Sequence, residues 1–148
     1  MNKKSARTLL VLSALVMALV ISPAAVSYPN GIQGVKDSGC NCHGAVTSSE
    51  VVPSITGLPD QYNYSETYEI TVSFVGGPSD PSNINQGGFN LWVSDGELSP
   101  SDATVQSYSV NEVSHTEAGN DQTSWTMTWT SPSSDRNVEF VLHTNSVN

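Results

Sequence analysis

The sequence predicts an all-β protein, an antiparallel β-sandwich of about seven strands joined by Greek-key links. Short runs alternate between apolar and polar residues, as in strands that bury one face. Clusters of Gly, Pro, Ser, Asn and Asp separate these runs, and no stretch after the first 27 residues repeats with a helical period. We expect the strands near residues 50–56, 67–75, 88–95, 103–108, 110–115, 123–130 and 137–145.

Four runs show the alternation most clearly: "TYEITVSF", "FNLWVS", "SWTMTWT" and "NVEFVLH". Successive side chains of a strand point to opposite faces of the sheet, so every second residue shares a face. The apolar members are therefore expected in the core: Tyr68, Ile70, Val72 and Phe74 in the first run, Phe89, Leu91 and Val93 in the second, Trp125, Met127 and Trp129 in the third, and Val138, Phe140 and Leu142 in the fourth.

The first 27 residues have the three parts of a signal peptide. Basic residues precede an apolar run from Leu9 to Ile21, and small residues, ending at Ser27, follow it. The apolar run is shorter than the ~20 residues that a membrane-spanning helix needs. We therefore expect cleavage near Ser27, a mature chain without a transmembrane span, and secretion or display at the cell surface.

The mature chain would hold about 120 residues, enough for one domain with its own core. Residues 28–49 are rich in Gly, Ser and Asn and are expected to form a loop segment, and residues 50–148 the sandwich. Lys36 and Arg136 are the cations of this part of the chain, against 14 acidic residues. Such an acidic protein does not suit a nucleic-acid partner. The last strand ends at "HTNSVN" without a closing turn, which favours a sandwich truncated at its C-terminus, or one lacking an anchor.

The stretch "SGCNCHG" holds both cysteines, Cys40 and Cys42, and His43 follows directly. In an exported protein two thiols indicate a disulfide, a metal site or a bound cofactor. In c-type haem attachment two thiols bond to the porphyrin vinyl groups, and the adjacent histidine ligates the iron. The usual signature places two residues between the cysteines, whereas this chain has Asn41 alone. A local Cys-x-Cys disulfide would be strained and readily reduced. The residues by themselves leave the three interpretations open.

A metal at this stretch would be zinc or copper and would need ligands besides the thiols and His43. His115 and His143 are the other histidines of the chain. His115 has the parity of Val113, so it is expected on the apolar side at a strand end, either as a packing residue or as a ligand beside His43. His143 is expected at an exposed or edge position, which suits a ligand less.

The sequence contains no set of residues that indicates a catalytic site. Serine is so frequent that no Ser-His-Asp set can be assigned, and the chain has neither a Gly-rich phosphate loop nor a zinc-protease helix.

Four stretches in their order resemble a known family: "YPNGIQGVKDSGCNCHG", "GGFNLWVSDGEL", "VSHTEAGNDQTSWTMTWTSP" and "VEFVLHTNSVN". The chain is similar to the reeler-like secreted β-sandwich proteins of bacteria and archaea, also called choice-of-anchor V domains. The resemblance implies an immunoglobulin-like sandwich outside the cell. Many relatives carry a Cys-x-x-Cys-His segment before the first strand, and relatives continue past the last strand into a turn and a further strand.

The resemblance implies a haem c held by Cys40, Cys42 and His43, with His115 as the leading second ligand. Our first hypothesis is therefore an exported haem protein for electron transfer or redox sensing, which would work with a redox partner protein. The alternative is a cell-surface adhesion or interaction module, in which the same stretch forms a local disulfide or binds a metal.

Overall fold

The computed structural model describes residues 28–39, 50–79, 81–82 and 84–146. The predicted signal peptide, Cys40, Cys42 and His43 lie outside the described residues. The described chain forms eight strands: β1 (Val52–Thr56), β2 (Thr67–Val75), β3 (Gly87–Val93), β4 (Glu97–Pro100), β5 (Val105–Ser109), β6 (Glu112–His115), β7 (Ser124–Thr130) and β8 (Phe140–Ser146).

The strands form two four-stranded antiparallel sheets, which confirms the predicted all-β sandwich. One sheet has the order β1-β2-β7-β4, and the other has the order β5-β6-β3-β8. Within the described residues the helical content is one 3₁₀ turn, Glu117–Gly119, and no helix there is long and apolar enough to cross a membrane.

The core lies between the sheets and contains nine of the thirteen residues that the alternation predicts; the other four, Tyr68, Val138, Phe140 and Leu142, are half-buried and pack against it. Ile70, Val72 and Phe74 of β2 lie beside Trp125, Met127 and Trp129 of β7 in one sheet, and together they face Phe89, Leu91 and Val93 of β3 in the other; all nine are buried. The two tryptophans carry polar N–H groups into this core, and each donates to a backbone carbonyl, that of Gly119 at 2.7 Å and that of Asp95 at 3.2 Å. Their burial therefore leaves no N–H unpaired.

The described residues form one strand more than the seven positions expected, because β4 lies in a stretch that looks like a turn. "SDGELSPSD" is rich in turn-forming residues, yet Glu97–Pro100 pairs with β7, with Leu98 opposite Trp129. Leu98 is the one apolar side chain of this strand and is buried. A strand with a single apolar residue has no alternation that a sequence pattern can detect.

Candidate functional site

The chain directly before Cys40 lies on the outer face of the sheet β5-β6-β3-β8. We call residues 28–39 the N-terminal segment. Asn90 of β3 lies opposite Ser114 of β6 and His143 of β8, so these three side chains form a row on one face. Asn90 and Ser114 are fully buried, although this face is turned away from the core, because the N-terminal segment covers it.

Asn90 and Glu112 fix the middle of the N-terminal segment. Asn90 Nδ2 donates to the carbonyl of Ile32 at 2.8 Å and to Glu112 Oε1 at 2.9 Å. The same carboxylate oxygen accepts the amide N–H of Gly34 at 2.7 Å. Val35 follows and is buried against the sheet. Since buried polar groups without partners are costly, these bonds hold the segment to the sheet.

The two ends of the N-terminal segment are also held. At one end, Tyr108 Oη donates to the carbonyl of Asn30 at 3.0 Å, and Gly31 adopts a φ of +72° against Ser114. A Cβ on Gly31 would lie 2.3 Å from Ser114 Oγ, so only glycine permits this approach. At the other end, Lys36 Nζ lies 3.9 Å from the centre of the Trp92 ring, a cation–π contact.

His143 lies beside the last described residue before the cysteines. Its Nε2 lies 3.0 Å from the carbonyl oxygen of Lys36. A carbonyl can only accept, so Nε2 carries a proton, and in the neutral imidazole the lone pair is then on Nδ1. A Cβ built on Gly39 would lie 3.6 Å from His143 Nδ1, so Nδ1 lies close to the last described residue before Cys40. Among the described residues, Nδ1 has no hydrogen-bond partner.

This geometry is the one that ligating histidines adopt. A metal-bound imidazole commonly donates its other N–H to a backbone carbonyl, which fixes the tautomer and the ring orientation. The carbonyl of Lys36 does this for His143. His143 lies on β8, which is an edge strand of its sheet, in agreement with the predicted edge position. Its side chain is nevertheless half-buried, because the N-terminal segment lies against it.

His115 lies at the end of β6 and on the apolar side, as predicted. Its ring centre is 6.4 Å from those of Phe89 and Trp125, and the amide N–H of Phe89 lies 3.1 Å from its Nδ1. Burial lowers the pKa of His115, and hydrogen bonds to the backbone of Phe89 and Tyr28 oppose this in part. The imidazole is therefore neutral at pH 7, and it is hydrogen-bonded to backbone groups of Phe89 and Tyr28.

The structure thus brings His143 to the chain that leads to Cys40. Within the described ranges, no three His, Cys, Asp or Glu side chains are grouped closely enough to hold a metal ion. The positions of Cys40, Cys42 and His43 are outside these ranges, so their role as ligands remains a prediction. The proximity of His143 to residues 36–39 depends on a separation of more than 100 residues, and no local signal in the sequence indicates it.

No family model and no curated protein sequence matches the chain. Solved structures with a similar arrangement of strands are reeler domains. Fragment 1 of the human F-spondin reeler domain is 19% identical, with 64% of this chain and 74% of that chain covered and a TM-score of 0.46. The Reelin-N domain of F-spondin is 22% identical, with 64% of this chain and 70% of that chain covered and a TM-score of 0.47. Fragment 2 of the human F-spondin reeler domain is 19% identical, with 68% of this chain and 79% of that chain covered and a TM-score of 0.45.

Proposed function

We propose that this is an exported β-sandwich protein that binds one c-type haem through Cys40, Cys42 and His43, with His143 as the second imidazole ligand. The observation that supports the proposal is the orientation of His143, whose Nδ1 lies next to Gly39 while Nε2 donates to the carbonyl of Lys36. The donor set, two thiols and two imidazoles, suits covalent haem. When bound, the haem would supply one-electron redox chemistry for electron transfer or sensing.

The protein contributes placement and a fixed tautomer. The N-terminal segment is held to the sheet by Asn90, Glu112 and Tyr108, which supports a fixed position for the chain up to the residues that precede Cys40. His143 is favoured over His115 as the second ligand because backbone groups of Phe89 and Tyr28 already occupy the His115 ring.

The test is an absorption spectrum of the full chain produced with a cytochrome-maturation system. We expect a Soret band that stays with the protein after acid–acetone extraction. His143→Ala should change the spectrum, since the iron would lose one imidazole, whereas the matched variant His115→Gln should leave it unchanged.

A colourless protein whose mass lacks the two thiol hydrogens would contradict the proposal and indicate the local disulfide. Stoichiometric zinc or copper by elemental analysis would instead indicate a metal at the same stretch. A haem spectrum that responds to His115→Gln but not to His143→Ala would overturn the ligand proposed here.

A second proposal is an adhesion or interaction module at the cell surface without a cofactor. The resemblance to secreted sandwich proteins supports it, and so does a preformed polar cleft at one end of the sandwich, described below. The same spectrum and mass distinguish this function from the first, because it requires no chromophore.

A further inference from the structure

A polar cleft lies at one end of the sandwich, between the β1–β2 loop and the chain that joins β7 to β8. Its volume is about 490 Å³, and residues 60–64 and 135–137 line it. This volume is within the ~300–1,000 Å³ typical of small-ligand sites. The cleft is distinct from the N-terminal segment, since within the described ranges none of its lining residues has a hydrogen bond or a ring contact with residues 28–39.

Hydrogen bonds hold the two walls of the cleft together. Tyr62 Oη lies 3.0 and 2.9 Å from the carbonyl oxygens of Ser134 and Arg136, which share its one O–H as acceptors, and it accepts the amide N–H of Arg136 at 2.9 Å. The Tyr62 ring packs edge-on against Trp129 of the core, at 5.6 Å between ring centres. Ser131 Oγ donates to the carbonyl of Asn63 at 2.6 Å. The cleft is therefore built into the fold, and a ligand would not have to order these loops on binding.

The lining side chains have hydrogen-bonding capacity that the protein itself does not use. Asp60, Gln61, Asp135 and Asn137 line the cleft and are exposed, and within the described part of the chain none of these four side chains has a hydrogen bond or ion pair. Tyr64 lies beside them with 59% of its surface exposed and its ring 6.3 Å from that of Tyr62. The cleft thus combines an accessible aromatic face with unpaired carboxylate and amide groups.

We infer that this cleft binds a neutral saccharide, with Tyr64 as the stacking surface and Asp60, Gln61, Asp135 and Asn137 as hydrogen-bonding groups. A pyranose has an apolar C–H face, which packs on an aromatic ring, and a rim of hydroxyl groups that donate and accept. Carboxylates and amides match such a rim.

Other ligand classes fit the cleft less well. Two carboxylates line it, and its one cation, Arg136, is paired with Asp95 at 3.1 Å, so a phosphate or another anion would meet net negative charge. A divalent cation needs more oxygen ligands than two separated carboxylates provide. The lining is mainly polar, which does not favour an apolar ligand.

The test is calorimetric titration of the full-length protein with three neutral trisaccharides: triacetylchitotriose, cellotriose and mannotriose. Inorganic phosphate and Ca²⁺ serve as the non-sugar probes. We expect at least one trisaccharide to bind, and Tyr64→Ala to weaken that binding about tenfold or more. Tyr28→Ala is the matched control, because this ring is 55% exposed but lies outside the cleft; its binding should equal that of the unmodified protein.

Asn137→Ala is a second variant, in case Tyr64→Ala lowers the thermal stability, and it too should weaken binding. The inference is overturned if none of the three trisaccharides binds, if phosphate or Ca²⁺ alone binds, or if Tyr28→Ala weakens binding as much as Tyr64→Ala. These results do not depend on the thiols or on the haem spectrum, so the cleft and the proposed haem site succeed or fail separately.

Discussion

The imidazole of His115 occupies the space where a side chain on Gly88 would begin. A Cβ built on Gly88 would lie 2.3 Å from His115 Cε1 and 2.7 Å from both ring nitrogens. The ring is held there by Phe89 and Trp125, so it cannot move aside without disturbing the core. Gly88, the second glycine of "GGFNLWV", is therefore required by the contact between β3 and the His115 ring of β6.

We expect Gly88→Ala to destabilise the protein by about 1–3 kcal/mol, the usual cost of inserting a methyl group into a packed site. His115→Ala removes the obstructing ring, so the double variant should be more stable than the sum of the two single effects predicts. Urea unfolding of the four proteins in a double-mutant cycle measures this coupling. Strict additivity would show that the two residues do not compete for the same space.

The stability of the protein should fall as the pH drops below about 6.5, because of His115. Burial lowers the pKa of His115 from its ordinary value of 6.5. The unfolded chain therefore takes up a proton at a higher pH than the folded one does. The contribution of His115 is complete above pH 6.5 and is lost as the pH falls through the folded-state pKa.

Urea unfolding between pH 8 and pH 5 checks this pH dependence. The difference in unfolding free energy between the unmodified protein and His115→Gln should shrink as the pH falls. The comparison isolates His115, since the carboxylates titrate alike in both proteins. A difference that stays constant over this range would contradict the effect of burial on the His115 pKa.

Trypsin offers a direct probe of the N-terminal segment, because Lys36 and Arg136 are its cleavage sites in residues 28–148. Lys36 is half-buried over Trp92, while Arg136 is exposed. We expect Asn90→Ala to accelerate cleavage after Lys36 about tenfold, since the loss of two hydrogen bonds costs on the order of 1–3 kcal/mol of local stability. Mass spectrometry of the fragments over time gives both rates, and the rate after Arg136 is the internal control. Equal acceleration at both sites would mean global destabilisation instead of release of the segment.

Ser131→Ala should destabilise the protein by about 1–3 kcal/mol, because the buried hydroxyl bonds to two backbone groups of the β1–β2 loop and both bonds would be lost. Ser131 is 4% exposed, its Oγ accepts the N–H of Glu66 at 3.0 Å and donates to the carbonyl of Asn63. Ser133→Ala is the control, since Ser133 is exposed two residues away and should change stability by less than about 0.5 kcal/mol. Thermal unfolding followed by circular dichroism compares the two. Equal stability of both variants would show that this hydroxyl does not hold the β1–β2 loop.

The fold was predictable where alternation extends over a whole strand. In β2 and β7 every second residue is apolar, and those residues are the ones buried. In β3 the same pattern places Phe89, Leu91 and Val93 correctly but implies that Asn90 faces water, whereas Asn90 is fully buried. Alternation describes the face that packs on the core, and it cannot show that another part of the chain covers the opposite face.

The candidate site was predictable only in part. The position of His115 on the apolar side of a strand end follows from its parity with Val113, and its contacts with Phe89 and Trp125 confirm it. The role now proposed for His143 was not expected, because its ring meets Lys36 across 107 positions of the chain. The thiols of Cys40 and Cys42 and the imidazole of His43 stay a prediction.

The sequence by itself determined that this chain forms strands with one apolar face, and that a thiol–thiol–imidazole stretch precedes them, because strand periodicity and motif spacing are local properties. The tertiary structure alone decided which histidine lies beside residues 36–39, which polar residues are buried under the N-terminal segment, and where two loops enclose a cleft. Each of these depends on sheet register and on contacts between distant segments, and no short window of sequence contains both partners of such a contact.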